Sequence, residues 1–210
     1  MRLMSWRAPA ILGTVLLGLS GGAWIAGEAG RRSDLERFAS LAADASDAAQ
    51  PDVRLWSEAR VRSYQASLAE QAGPLLGVLR IERIGLTVPV REGVDAVTLN
   101  RSVGWIPGTV RPGEHGNVGL AAHRDGYFRR LGEVRAGDKI ALETVAGGMR
   151  WYEVASIEIV SPEDNRSLAP SADESLTLVT CYPFYYVGSA PQRYVVRASR
   201  KGPEATTAAR

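Results

Sequence analysis

The chain has 210 residues, 45% of them hydrophobic and 23% charged, with a formal net charge of +2, one cysteine and two histidines. That size fits one ordinary domain with extensions, and so small a charge, without a Lys/Arg cluster among aromatics, speaks against nucleic acid as a partner. One Cys excludes a disulfide framework and a Cys-based metal centre, two His are few for zinc, and no cofactor is implied.

The first extension is N-terminal. Ala8 to Gly27 runs without a charge and includes Ile11, Leu12, Val15, Leu16, Leu17, Leu19, Trp24 and Ile25. About 20 apolar residues suffice to cross a ~30 Å hydrocarbon core as a helix. Arg2 and Arg7 precede the stretch, so the positive-inside rule keeps residues 1–7 in the cytoplasm and places the rest outside. The same layout, ending Ala26-Gly27-Glu28-Ala29, also fits a cleaved signal peptide. Both readings export the remainder. In an exported chain a lone cysteine is an unpaired thiol, which calls for a reason.

Residues 28–73 read as a helical stalk or linker. Leu35, Phe38, Leu41 and Ala42 recur at helical spacing, and Gln50-Pro51-Asp52 interrupts them. A second helix is predicted over 53–70, with Val61, Tyr64 and Leu68 on one face toward the main domain and Trp56 nearby. Gly73-Pro74 ends it.

From Leu75 the period changes to that of strands. Strands are predicted over 77–84, 86–90, 117–122, 139–144, 149–160, 175–180 and 194–199, separated by glycine-rich turns. Short helical insertions are predicted at 95–100 and 127–131. Seven or eight short strands with such turns argue for an all-β closed barrel or sandwich. Residues 201–210 read as a disordered tail.

Three strand ends carry chemistry. Cys181 ends the run Leu176-Thr177-Leu178-Val179-Thr180, on the face shared by Thr177 and Val179, and Pro183 stops the ladder. A buried structural cysteine is the plain alternative, but the end of a strand face is where a thiolate can meet substrate. His123 ends Asn117 to Ala122, a usual place for a general base; His115 sits in turn chemistry and is expected to be solvated. Arg193 opens the last strand, where its fixed donor fork suits a developing oxyanion. The aromatics Tyr182, Phe184, Tyr185 and Tyr186 either line a groove or cover the barrel end. Pro162-Glu163-Asp164-Asn165 reads as a helix start rather than a cation site.

These pieces together resemble the sortase family. Thr180-Cys181-Tyr182-Pro183-Phe184 followed by Arg193 is similar to its cysteine signature, a Thr-Leu-x-Thr-Cys before an Arg. Ala122-His123-Arg124-Asp125 with Phe128-Arg129 resembles its histidine motif, and the run from Gly85 to Gly93 its early strand pair; Pro107-Gly108-Thr109 fits as well. The stretch Cys181-Tyr182-Pro183-Phe184 most resembles class D. The resemblance covers residues 74–200, with one departure: Ala122 stands where glycine is expected.

The resemblance implies an eight-stranded β-barrel over 74–200 and a cysteine transpeptidase. Such an enzyme cuts a Leu-Pro-x-Thr-Gly-like sorting signal on a secreted protein through a thioester. It then passes the protein to a cell-surface amine. It implies Cys181 as nucleophile, His123 as acid/base and Arg193 as oxyanion or substrate holder, with Thr180, Tyr182 and Ala122 beside the substrate. Residues 161–174 would form the loop around the Leu-Pro pocket. Some sortases respond to calcium, on which this sequence is silent. A thiol hydrolase using the same site, and an inactive membrane-tethered peptide-binding barrel, are the alternatives.

Overall fold

The computed structural model describes residues 36, 39–43, 50–145, 147–185 and 188–202. The expected anchor at 8–27, most of the first stalk segment and tail residues 203–210 lie outside them. Among the described residues no helix is long and apolar enough to cross a membrane. The chain divides into two compact units, residues 1–40 and 41–210, and the barrel belongs to the second.

Eight strands close on themselves in the order β1-β2-β3-β4-β7-β8-β6-β5. They are β1 (Leu75–Ile81), β2 (Leu86–Glu92), β3 (Val103–Trp105), β4 (Asn117–Ala121), β5 (Lys139–Thr144), β6 (Met149–Val160), β7 (Ser175–Tyr182) and β8 (Gln192–Lys201). The β1–β5 pair closes the barrel, which leaves no open sheet edge. Most pairs are antiparallel, but β2–β3 and β4–β7 run parallel, so β4 and β7 end side by side.

Alternation along each strand supplies the core. Val118 and Leu120 of β4, Leu176 and Leu178 of β7, and Val196 and Ala198 of β8 are buried in one cluster with Leu79, Ile81, Val88, Val90, Ile140, Leu142 and Tyr152. The odd-numbered residues of β4, β7 and β8 therefore face outward. Cys181 is among them, on the face where the alternation in the sequence puts it.

Four expectations shift. The first strand stops at Ile81, and residues 82–84 form a 3-10 turn capped by Gly85 at φ 60°, a left-handed conformation that glycine adopts freely. Strand β3 was not read from the sequence; three residues are too few for an alternation signal. Residues 127–130 form turns, and the helical piece is a 3-10 turn at Leu131–Glu133. The helix expected over 53–70 is α1 (Glu58–Leu68), capped by Ser57, whose hydroxyl accepts from the Arg60 N–H. It turns Arg60, Tyr64 and Ser67 inward and leaves Leu68 exposed. The apolar count pointed to Leu68, but the inward face is held by polar bonds. The predicted insertion at 95–100 is α2 (Ala96–Arg101), capped by Asp95.

Candidate active site

Register builds the site. On the parallel β4–β7 pair, Asn117 faces Ser175, Gly119 faces Thr177 and Ala121 faces Val179. The Ala122 N–H donates to the Val179 carbonyl (3.3 Å) and the Thr180 hydroxyl donates to the Ala122 carbonyl (2.7 Å). His123 and Cys181 each stand two residues beyond the Ala121–Val179 pair, one on each neighbouring strand end. On the other side of β7, Cys181 is the direct register partner of Arg193. Opposed residues of an antiparallel pair share a face. Histidine, thiol and guanidinium thus come from three adjacent strand ends, with the cysteine in the middle.

Each group is held from behind. Thr180 is buried, 3% exposed, and its hydroxyl is spent on the peptide before His123. It supports the site from within the wall. Ala122 is buried as well, a methyl beside the histidine backbone. The Gly126 and Phe128 N–H groups donate to the His123 carbonyl (3.1 and 3.4 Å), and Phe128, fully buried, fastens this turn to the core. Arg193 donates from Nη1 to the carbonyls of Ala190 (3.3 Å) and Gln192 (3.1 Å), and among the described residues its Nε and Nη2 remain as donors.

Arg124 joins the two halves. Its Nη1 donates to the Pro183 carbonyl (3.0 Å) and its Nη2 to the Gly188 carbonyl (2.8 Å), tying the histidine turn to the β7–β8 loop. Sequence reasoning noted Arg124 only as part of a motif. That loop begins with a cis Tyr182–Pro183 peptide. Tyr182, Phe184 and Tyr194 pack against one another with ring centroids 5.1–6.1 Å apart and against the core. Tyr182 and Phe184 therefore cover the barrel end, Tyr185 is exposed, and Tyr186 lies outside the described residues.

The same outer face continues away from Cys181. Asn117 Nδ2 donates to the carbonyls of Ser167 (2.8 Å) and Ala169 (3.1 Å), and Thr177 Oγ1 donates to Asn117 Oδ1 (2.9 Å). These bonds lay the 161–174 loop, with its 3-10 turn Arg166–Leu168, across the starts of β4 and β7. A Cβ on Gly119 would stand 2.8 Å from Thr109 Cγ2 and 2.9 Å from Leu168 Cδ2; only a glycine lets them approach. Between this cover and Cys181 lie the short outward side chains Ala121 and Val179. Under the loop, a hollow of about 220 Å³ is lined by Glu158, Val160, Asp164, Arg166, Ser167 and Arg197. A larger hollow, about 670 Å³, is lined by Glu82, Lys139, Trp151, Tyr152, Glu153, Lys201 and Gly202 and includes none of the three strand-end residues; size alone does not mark the site. His115 is exposed in its turn, and Asp164 starts the 3-10 turn by accepting from the Arg166 N–H (3.1 Å). Among the described residues no three His, Cys, Asp or Glu converge as a metal site would require.

Burial holds the His123 imidazole below its ordinary value near 6.5, the Arg60 guanidinium adds to the depression, and Asp125 opposes it. The ring is therefore neutral at pH 7. The stability sign follows. As pH falls through 6.5 the unfolded chain binds a proton that the folded chain resists, so stability falls from there down to the depressed folded value and then levels. Urea midpoints between pH 7.5 and 5.5 are expected to fall, and His123→Gln is expected to flatten that part of the curve. An unaltered slope in His123→Gln would assign the effect to other groups.

Thr180→Val keeps the shape and deletes the hydroxyl, leaving the Ala122 carbonyl short of a donor. We expect a loss of ~1–3 kcal/mol in urea unfolding, with a fall in any activity that depends on His123. An unchanged midpoint would mean that water replaces the hydroxyl.

A family model, the sortase domain, matches residues 79–201, and the chain belongs to the sortase family. It is 38% identical over 137 residues to Sortase D of Bacillus subtilis (strain 168), covering 65% of this chain and 69% of that protein. Among solved structures it is similar to a Clostridium perfringens Sortase D5 transpeptidase, with TM-score 0.57 and 28% identity over 72% of this chain and 92% of that one. Sortase C1 from Streptococcus suis gives TM-score 0.57 and 28% identity, covering 70% and 82%. The curated relative is a sortase D, the group that Cys181-Tyr182-Pro183-Phe184 resembles.

Proposed function

We propose that this sortase is a membrane-anchored cysteine transpeptidase facing outward from the cell. It would cut a Leu-Pro-x-Thr-Gly-like sorting signal and transfer the secreted protein to an amine at the cell surface. The observation that supports the reading is the register that sets Cys181 opposite Arg193 and beside the β4 end leading to His123, on the outward face that continues to the 161–174 loop.

In this reading the substrate lies extended along that face, its Leu-Pro portion toward Leu168 and its Thr carbonyl at Cys181. His123, neutral at pH 7, takes the proton from the thiol as the sulfur attacks the carbonyl carbon. Negative charge gathers on the carbonyl oxygen, and the free Nε and Nη2 donors of Arg193 stabilise it. The C–N bond breaks, the imidazolium gives its proton to the departing amine, and a thioester remains on Cys181. An acceptor amine then attacks the thioester, His123 accepts its proton, and the proton returns to sulfur. Thr180 and Arg124 are positioning residues: one holds the peptide before His123, the other ties its turn to the β7–β8 loop. The anchor is the apolar run Ala8 to Gly27, which leaves residues 1–7 in the cytoplasm.

The test is incubation of the chain with a Leu-Pro-x-Thr-Gly peptide, with and without a glycine-based amine, followed by mass spectrometry. Transfer product with the amine supports the transpeptidase. Hydrolysis at the same rate in both arms would make the chain a thiol hydrolase, and no cleavage would favour a peptide-binding barrel.

A further inference from the structure

Helix α1 precedes the 79–201 stretch that matches the sortase domain, yet it is bonded to the turn that carries His123. Trp56 Nε1 donates to the Asp125 carbonyl (2.6 Å). Arg60 Nε donates to Asp125 Oδ2 (3.2 Å), and its Nη1 donates to Asn100 Oδ1 (2.5 Å). The guanidinium also lies over the Trp56 ring, 4.1 Å from its centroid, and Tyr64 meets that ring edge-on at 5.5 Å. Arg60 is only 19% exposed, and Asn100 is buried at the end of α2. One side chain thus joins α1, α2 and the turn two residues beyond the histidine.

We propose that α1 and Trp56, which leads into it, are a working part of the active site: through Trp56 and Arg60 they fix the Asp125 turn, and with it the orientation of His123, and Arg60 sets a permanent positive charge near the imidazole. This rests on the reading of His123 as the acid/base.

Two physical arguments support it. The first is geometric. A catalytic base works only when held in a narrow range of orientations, and small displacements cost rate steeply. The His123 turn has its core anchor in Phe128 on one side; Trp56 and Arg60 supply the restraint on the solvent side. The second is electrostatic. The charged groups that act on the imidazole are Arg60 from α1 and Asp125 from its own turn; Arg124 is its chain neighbour, and Cys181 and Arg193 stand on the adjoining strand ends of β7 and β8. Asp125 would draw a proton onto the ring, and Arg60 both engages that carboxylate and opposes protonation directly. With Arg60 in place the ring is free to accept the thiol proton at neutral pH. A lysine would keep that charge, but only a stacked, forked guanidinium can also hold Asp125 and Asn100 together.

The experiment uses the full chain with Arg60→Gln, Arg60→Lys and Trp56→Phe. His123 is one of only two histidines, so its imidazole proton signals can be followed by NMR across pH and assigned with His115→Gln. Transfer kinetics with the sorting peptide and a glycine amine are measured over the same pH range. In Arg60→Gln the imidazole is expected to titrate at higher pH than in the parent, and the acid limb of kcat/KM to move upward with it. Arg60→Lys should leave the titration close to the parent while kcat falls severalfold, since charge remains and the fork is lost. Trp56→Phe keeps the ring but removes the N–H, and kcat should fall severalfold with KM within about twofold.

The proposal is overturned if Arg60→Gln leaves both the titration and the pH profile where they were, or if Arg60→Lys and Trp56→Phe keep the parent's kcat. Should Arg60→Gln fail to fold, the two conservative variants decide by kcat. If the parent transfers nothing to the amine, the transpeptidase reading fails instead, and the imidazole titration still reports whether α1 acts on His123.

Discussion

Cys181→Ala is expected to reduce cleavage and transfer of a sorting peptide to background, a loss of at least about a thousandfold, while the barrel stays folded. In the proposed mechanism the thiol forms the acyl bond, and removing the nucleophile of a site that acts as a unit abolishes nearly all its rate. The fold should barely notice. Cys181 faces outward and is half-buried, whereas the inward residues beside it, Leu176 and Leu178, are fully buried. A substitution on such a face changes stability by less than about 1 kcal/mol. Product chromatography and urea unfolding on the same sample check both halves. Residual transfer in Cys181→Ala would place the nucleophile elsewhere; loss of fold would assign the cysteine a structural part.

Arg193→Ala is expected to lower kcat by about 10²–10³ with little change in KM. The guanidinium is the register neighbour of the sulfur, and its hydrogen bonds to the protein use Nη1 alone among the described residues. A donor aimed at charge that exists only in the transition state affects kcat; one that holds the substrate equally throughout affects KM. Arg193→Lys should recover only part of the rate, because an ammonium lacks the planar fork. If KM rises in proportion while kcat stays, Arg193 binds the peptide, and the oxyanion must be held by another donor.

Much of this site was legible before any coordinates. Period-two alternation in Leu176 to Cys181 places the sulfur on the outward face, and β7 obeys it. The helical insertion expected over 95–100 is the helix Ala96–Arg101, which Asp95 caps. What escaped was non-local. Strand β3 is defined by its pairing with β2 and β4 and has too few residues to announce itself. Arg124 and Arg60 look like surface charges in sequence, since an arginine carries no mark of the carbonyl or carboxylate it will reach 59 or 65 residues away. Trp56, just ahead of the helix, and Arg60 in its first turn were the available hint: an aromatic and a cation that close in sequence can stack. Thr180 and Tyr182, adjacent to Cys181 in sequence, turn inward because the strand alternates; the Thr180 bond to Ala122 and the Tyr182 ring stacked on Tyr194 are contacts that sequence adjacency did not signal.

The most direct measurement is peptide mapping of the enzyme quenched in acid during turnover of a Leu-Pro-x-Thr-Gly peptide without an amine. The account expects the acyl fragment ending in Thr on the segment that contains Cys181, released when a glycine amine is added before quenching and diminished in His123→Ala. Turnover with no adduct on Cys181, or an acyl group found on another residue, would contradict it.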